Sequence, residues 1–441
     1  MHIAPFRPLR YDPRKISFIS RVVAPPYDVI DPGLAADLRA RDPHNAIRLV
    51  LGKAGDGPRP PEQYREAAAT LAQWRRDGVL IREERPAVYP FEQAFELGGE
   101  TCVRRGVLCA LLLDDSPAGR ALPHEGTLAG PRADRWALMS ACKAGMSAVF
   151  GFFSDPDGRG DGLIREMGLG GLLYEFQSAD GVTQKLRREC DPERIARLSA
   201  DLRERTFLIA DGHHRFRTAM EYRDRHRNPA APPGTAPEDY VMAYCVSVAD
   251  PGLRILPTHR LARAEGDLNR TALLETVGRC FELERIPLAG AEALPDMVAQ
   301  VTHEQRLISL HLSGQEFYAC RPKQEALAEV LPARSAAWRS LPVAWLHYAI
   351  LAPAFGIPAE PDAGHPRLVY SQDLEEMYWS VESGEFHAGF YVPPTRPSTV
   401  EAIARAGETM PPKSTYFYPK IDSGLLIYPF ERESAPDPPT P

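Results

Sequence analysis

Proline is the feature that most constrains what this chain can fold into. It occupies 43 of 441 positions, about twice ordinary usage, and it is spread along the whole sequence. Each proline lacks a backbone N–H and holds φ near −65°, so it breaks helix interiors and central strands. A coiled coil, a long-helix bundle and a helical solenoid are therefore excluded, which leaves short elements joined by frequent turns. Three Pro/Gly-rich breaks read as loops: GKAGDGPRPPE (52–62), SDPDGRGDG (154–162) and NPAAPPGTAPED (228–239). The final ESAPDPPTP reads as a disordered tail.

Between the breaks, helical and extended patterns alternate. Helices are expected at Tyr64–Arg76, Asp134–Lys143, Asp191–Arg203, Arg215–His226, Val343–Ala352, Asp373–Val381 and Thr399–Ala406. Hairpins are expected at Val88–Leu97 with Cys102–Leu113, turned by Gly98-Gly99, and at 306–312 with 316–322. Further strands read at Ser147–Phe153, 207–210, 240–248 and His387–Val392, and the glycine cluster at 167–173 reads as a turn. The mixture predicts an α+β (mixed α/β) fold. No 20–50-residue repeat is present. A boundary near 260–270 divides it into an N-terminal α/β region (1–265), a C-terminal α/β region (266–430) and the tail (431–441).

Apolar residues at 44% and charged residues at 25% are ordinary for a globular protein. The net charge of −7 argues against a general nucleic-acid or anionic-membrane binder. Only seven of the 52 basic residues are lysines, at 15, 53, 143, 185, 323, 413 and 420. The seven cysteines form no CxxC pair and read as reduced thiols. No apolar run reaches membrane-spanning length, and MHIAPFRPLR lacks the apolar core of a secretory signal. A cytoplasmic location is expected.

The richest stretch for chemistry is FLIADGHHRFRTAMEYR (207–223). An apolar strand runs into Asp211 and Gly212, and a helix begins at once. Gly212 permits a sharp turn and close approach to a ligand. A helix start supplies N–H groups and a positive dipole end for an anion, and Arg215 adds a planar fork suited to phosphate oxygens. Asp211 is able to cap the helix, or to hold a metal ion beside a phosphate. His213 and His214 fall on the first turn; adjacent positions diverge by about 100°, so they do not form the i,i+4 zinc pair of a metallohydrolase. The bland reading is a capped helix with exposed histidines.

Four other stretches carry candidate groups. PHEGTL places His124 and Glu125 in a loop as an acid–base pair, against a plain solvated loop. LPTHRL offers Thr258, His259 and Arg260 at a strand end, against an ordinary polar terminus. MPPKSTYFYPK (410–420) sets Lys413 beside the hydroxyls of Ser414 and Thr415 in a proline-stiffened segment, which suits phosphate or carboxylate. It is not a Walker A loop, and no GxSxG elbow occurs anywhere. VAPPYDVI presents Tyr27 and Asp28 on a Pro-Pro turn.

VAPPYDVI, PHEGT, IADGHHRFRTA, LPTHR and MPPKSTYFYPK, in that order over residues 5–430, resemble the bacterial and archaeal family called domain of unknown function 1015. More narrowly, the strand–DGHHR–helix segment (207–248) is similar to the phosphate-binding motif of the ParB/sulfiredoxin superfamily, which includes nucleotide-dependent free-serine kinases. That resemblance implies a ParB/sulfiredoxin-like core with additional mixed sheet regions. It also implies a phosphate role for Asp211, Gly212, His213, His214 and Arg215. The catalytic cysteine of sulfiredoxin has no counterpart, because His213 follows Gly212, and ParB's DNA-binding helices are not evident.

The leading expectation is an enzyme binding a nucleotide (ATP or ADP, with Mg) or another phosphorylated ligand at 211–215. It would transfer a phosphoryl group involving a small hydroxyl-bearing metabolite. Gly212, Arg215, Thr258, His259, Arg260, Lys413, Ser414 and Thr415 are the candidate phosphate or nucleotide ligands. Asp211, His213, His214, Asp28, His124 and Glu125 are the candidate catalytic groups, and the base is left open among Asp28, Glu125 and the histidines. A small-molecule substrate is expected, with no nucleic acid and no membrane. One alternative is a metal-assisted hydrolase or phosphatase using His124, Glu125, His213 and His259. The other is a non-catalytic metabolite sensor.

Overall fold

The computed structural model describes residues 1–52, 59–116, 121–126, 129–288, 290–361 and 364–431. The expected tail from 432 onward, Thr127 of the PHEGT motif, and 53–58 of the first break lie outside the described residues. The chain divides into two units that interleave in sequence. Unit 1 comprises 1–123, 127–254 and 419–441, and unit 2 comprises 124–126 and 255–418.

Unit 1 is built on an eight-stranded sheet. Its strands are β1 (Ile3–Ala4), β2 (Tyr89–Leu97), β3 (Glu100–Leu112), β4 (Val149–Phe153), β5 (Gly171–Gln177), β6 (Thr183–Arg188), β7 (Phe207–Asp211) and β8 (Tyr240–Ser247). The order is β7-β4-β8-β3-β2-β6-β5, with β1 paired to β3. β4 and β8 run parallel, and every other pairing is antiparallel. The β2–β3 hairpin turns at Gly98-Gly99 as expected, both glycines having positive φ.

The helices of unit 1 include α1 (Pro61–Arg76), α2 (Ala129–Cys142), α3 (Arg159–Met167), α4 (Pro192–Arg203) and α5 (His213–His226). One sheet face is apolar: Val149, Ala243, Cys109, Val107 and Cys245 pack with Leu163 and Ile164 of α3, Leu198 and Leu202 of α4, and Phe216 of α5. Burial of apolar surface on that face favours folding.

The opposite face carries the polar groups. Gln184, Gln93 and Arg104 are register partners on β6, β2 and β3, so three buried polar side chains stand in one rung. The Pro419–Asp422 segment lies on that rung. Arg104 donates to the carbonyl of Pro419 (2.5 Å), Gln93 to that of Lys420 (3.0 Å), and Gln184 to the Asp422 carboxylate (2.7 Å). The Arg104 guanidinium also lies 4.4 Å from the Phe150 ring centre. Gly106 makes room for this arrangement, because a Cβ there would sit 2.6 Å from the Tyr244 ring.

Unit 2 holds a six-stranded antiparallel sheet of β9 (His259–Ala262), β10 (Phe281–Ile286), β11 (Ile308–Leu312), β12 (Glu316–Pro322), β13 (Leu368–Ser371) and β14 (Ala388–Tyr391). Its order is β10-β12-β11-β14-β9-β13. The helix expected over Val343–Ala352 is extended and interrupted. It runs as Pro342–Leu346, a wider turn at His347–Leu351, and Ala352–Phe355. The widening falls just before Pro353, which has no N–H to give to the preceding turn.

The fold is α+β, with a mixed sheet in unit 1 and an antiparallel one in unit 2 in place of the expected additional mixed sheet, and the strand–DGHHR–helix segment lies in unit 1. No helix among the described residues is long and apolar enough to cross a membrane.

Candidate functional site

β7 would place Asp211 on the apolar face if it kept regular alternation, along with Phe207 and Ile209. It does not. The β7–β4 register shifts between Ile209 and Asp211, so Asp211 pairs with Phe150 rather than with Val149. This bulge turns the carboxylate onto the face that carries Arg104 and Gln93.

There Lys420 Nζ donates to Asp211 Oδ1, and Arg215 Nη2 donates to Oδ2 at 2.5 Å. Burial would raise the Asp211 carboxyl, but Lys420, then Arg215 and His213, hold it well below the usual carboxylate range. Arg215 also donates to the carbonyl of Ala148, so its fork is turned back on the protein. Gly212, with φ +90°, is the N-cap of α5 and brings no side chain to it. His213 is buried on the first turn.

A second set of groups extends this cluster. Asp134 on α2 pairs with Arg59 (2.9 Å) and Arg135, and accepts from the Tyr64 hydroxyl (2.9 Å). The Arg135 guanidinium lies 4.0 Å from the centre of the Tyr27 ring. The VAPPYDVI motif reaches this region because Ala24 and Ser423 exchange backbone hydrogen bonds (3.1 and 2.7 Å). Asp28 is exposed in the Tyr27–Val29 turn. Asp422 differs from Asp211: its carboxyl is pushed up to about 7, by burial.

The remaining motifs come together in unit 2. His124 Nε2 lies 2.8 Å from Thr415 Oγ1, which lies 3.4 Å from Glu125 Oε1. Arg260 is fully buried and donates to the carbonyls of Thr258, Pro412 (3.2 Å) and Lys413 (3.0 Å). Burial pushes its guanidinium down to about 10. His259 accepts from the Val392 N–H at Nδ1 (3.1 Å), and burial, then Arg260, push it down to about 3, so the ring is neutral. Ser414 Oγ donates to the carbonyl of Pro411 (2.5 Å). These contacts hold the 411–415 segment in shape, with Lys413 exposed at φ +54°.

The five motifs thus assemble as two groups. VAPPYDVI, DGHHR and the final Pro419-Lys420 belong to unit 1, while HEG, LPTHR and PPKSTYFY belong to unit 2. The lysine that meets Asp211 is Lys420, which residue-by-residue reading passed over for Lys413. Its scarcity was the available signal, since two of only seven lysines fall in one short motif. Arg104 and Arg135 were also missed, being isolated arginines on an ordinary strand and helix.

The site does not fit a metal ion held by Asp211, because both of its oxygens already receive hydrogen bonds from cations. Among the described residues no group of three or more His, Cys, Asp and Glu is placed to hold a metal.

In structure the chain is similar to a variant of free serine kinase in complex with ADP, at 12% identity. That match covers 73% of this chain and 92% of that one, with a TM-score of 0.34. A conserved hypothetical protein from Pyrococcus furiosus matches at 15% identity over 73% and 95%, with a TM-score of 0.32. SbnI with C-terminal truncation from Staphylococcus aureus matches at 10% identity over 72% and 86%, with a TM-score of 0.36. No curated protein matches the sequence. The family model described as "Protein of unknown function (DUF1015)" matches residues 3–344, and the chain belongs to that family.

Proposed function

We propose that unit 1 binds the phosphate groups of a nucleotide or other phosphorylated ligand at the β7–α5 junction. There it supports phosphoryl transfer involving a small hydroxyl-bearing metabolite. One observation carries this reading: a single carboxylate, Asp211, stands between Lys420 and Arg215 at the start of a 14-residue helix whose N-cap is Gly212. The pair of cations carries more positive charge than the carboxylate cancels. The helix start adds its own positive end, and the two act on the same ligand.

Phosphoryl transfer needs positioning and charge neutralisation more than covalent chemistry. Lys420 and Arg215 are fixed before ligand arrives, so little reorganisation accompanies charge build-up. Asp211 orients both cations. Asp28, His213 and His214 are the candidate proton acceptors that the motifs of this unit offer for a hydroxyl. A nucleotide supplies the transferable phosphoryl group, and any Mg²⁺ is held by its phosphates rather than by Asp211.

The test is thermal denaturation with ATP, ADP and AMP, with and without Mg²⁺, on wild type and Arg215→Ala. Mass spectrometry of hydroxyl metabolites incubated with the shifting nucleotide follows. A nucleotide-dependent shift that Arg215→Ala abolishes is expected. Absence of any shift in the wild type overturns the reading, and tight binding without turnover favours a metabolite sensor.

A further inference from the structure

Unit 1 contains a second concentration of positive charge, apart from Asp211. A cavity of about 370 Å³ is lined by Arg39, Arg48, Arg59, Gln63, Glu66 and Thr70. The three guanidiniums come from three elements: the Pro32–Arg41 helix, the Ile47–Val50 turn and the approach to α1.

Their partners are mostly carbonyls. Arg39 donates to Leu51 (2.8 Å) and Gly52 (2.5 Å), and Arg48 donates to the Arg39 carbonyl (2.8 Å). A carbonyl satisfies a donor but leaves the cation's charge in place. Among the described residues, the carboxylate pairing of these three arginines is that of Arg59 with Asp134, which Arg135 shares. The Nε of Arg48 is buried with no hydrogen-bond acceptor among the described residues. Burial, and then repulsion from Arg48, lower the affinity of Arg39 for its proton.

We infer that this cavity is a binding site for a phosphate-bearing small molecule, separate from the Asp211 site. Charge withdrawn from water is costly unless paired. Here two half-buried arginines, Arg39 and Arg48, face one space with no ion pair to a carboxylate at either among the described residues, although Glu66 also lines it. Guanidinium forks match phosphate oxygens two at a time. The volume exceeds what inorganic phosphate alone fills and lies in the range of small-ligand pockets. The inference does not depend on the function proposed above.

Calorimetric titration with pyrophosphate in Mg²⁺-free, low-salt buffer tests it, with inorganic phosphate as a second probe. Arg39→Ala and Arg48→Ala are each expected to weaken pyrophosphate binding at this site by about tenfold, the loss of one charge-assisted contact. Arg215→Ala is expected to leave this binding event intact, so failure here and failure at Asp211 are read separately. Arg85→Ala, an exposed arginine elsewhere in the unit, controls for general charge. Should an alanine variant fail to fold, Arg39→Lys and Arg48→Lys keep the charge but remove the fork, and a several-fold loss is still expected. Unchanged binding in the folded variants, or an equal loss in Arg85→Ala, overturns the inference.

Discussion

Asp211 and Lys420 lie 209 residues apart and form a largely enclosed ion pair, with both side chains under 15% exposed. The pair joins the end of β7 to a segment laid across the same sheet face. Removing one partner of a buried pair leaves the other charge uncompensated. Lys420→Met is expected to cost about 3 kcal/mol, the low end for such pairs, because Arg215 still meets Asp211. Asp211→Asn is expected to cost more, since it strands two cations. Urea denaturation of both variants decides this. A loss under about 1 kcal/mol for Lys420→Met would mean the pair is effectively solvated.

Gly212 is the second point of sensitivity. Its φ of +90° is unfavourable for any side chain, and an added Cβ would lie 2.9 Å from Arg215 Nε. Gly212→Ala therefore combines backbone strain of about 1–3 kcal/mol with displacement of Arg215 from Asp211. A lowered urea midpoint together with loss of any phosphate-ligand shift is expected. A variant that keeps both properties would show that Arg215 is not held by this turn.

Much of this arrangement was readable from residue order. The Gly98-Gly99 hairpin, the strand running into Asp211-Gly212 and the helix after it rest on local rules of turn and cap. The prolines were half readable. They exclude long helices, but they also start short ones, at Pro32, Pro61, Pro192, Pro342 and Pro397, where a missing N–H costs nothing.

The rest depends on partners distant in sequence. Alternation along FLIAD predicts Asp211 on the core face, and only the pairing of β7 with β4 reveals the bulge that reverses it. The Gln184–Gln93–Arg104 rung joins three strands whose individual patterns show nothing unusual. Lys420 acquires its meaning only when residues 419–422 cross that rung. None of these is a local signal.

The rung itself is testable through Arg104, whose side chain is fully buried beneath the Pro419–Asp422 segment. Arg104→Met keeps the volume and removes both the charge and the donor to Pro419. The segment is expected to loosen and expose the peptide bond after Lys420 to trypsin. Limited proteolysis with mass spectrometry reads this directly. Equal resistance in wild type and variant would assign the segment's order to its other anchors, Gln93, Gln184, Asp211 and Ala24.

Asp422 sets a pH dependence opposite in sign to that of Asp211. Its carboxyl is raised from 3.8 to about 7 by burial, so the folded state keeps a proton that the unfolded chain releases near pH 4. Wherever the native state binds more protons, stability falls as pH rises. This contribution is fully present below about pH 4 and is lost progressively up to about pH 7. A shift of that size corresponds to at most about 4 kcal/mol at 1.4 kcal/mol per unit. Asp422→Asn keeps an acceptor for Gln184 and removes the titration. Relative to wild type it is expected to gain stability as pH rises from 4 to 8, with the difference flat above that range. Urea unfolding at pH 5, 6, 7 and 8 measures the difference. A gap that stays constant across this window would show that the carboxyl titrates normally, with its charge stabilised by Gln184 and water.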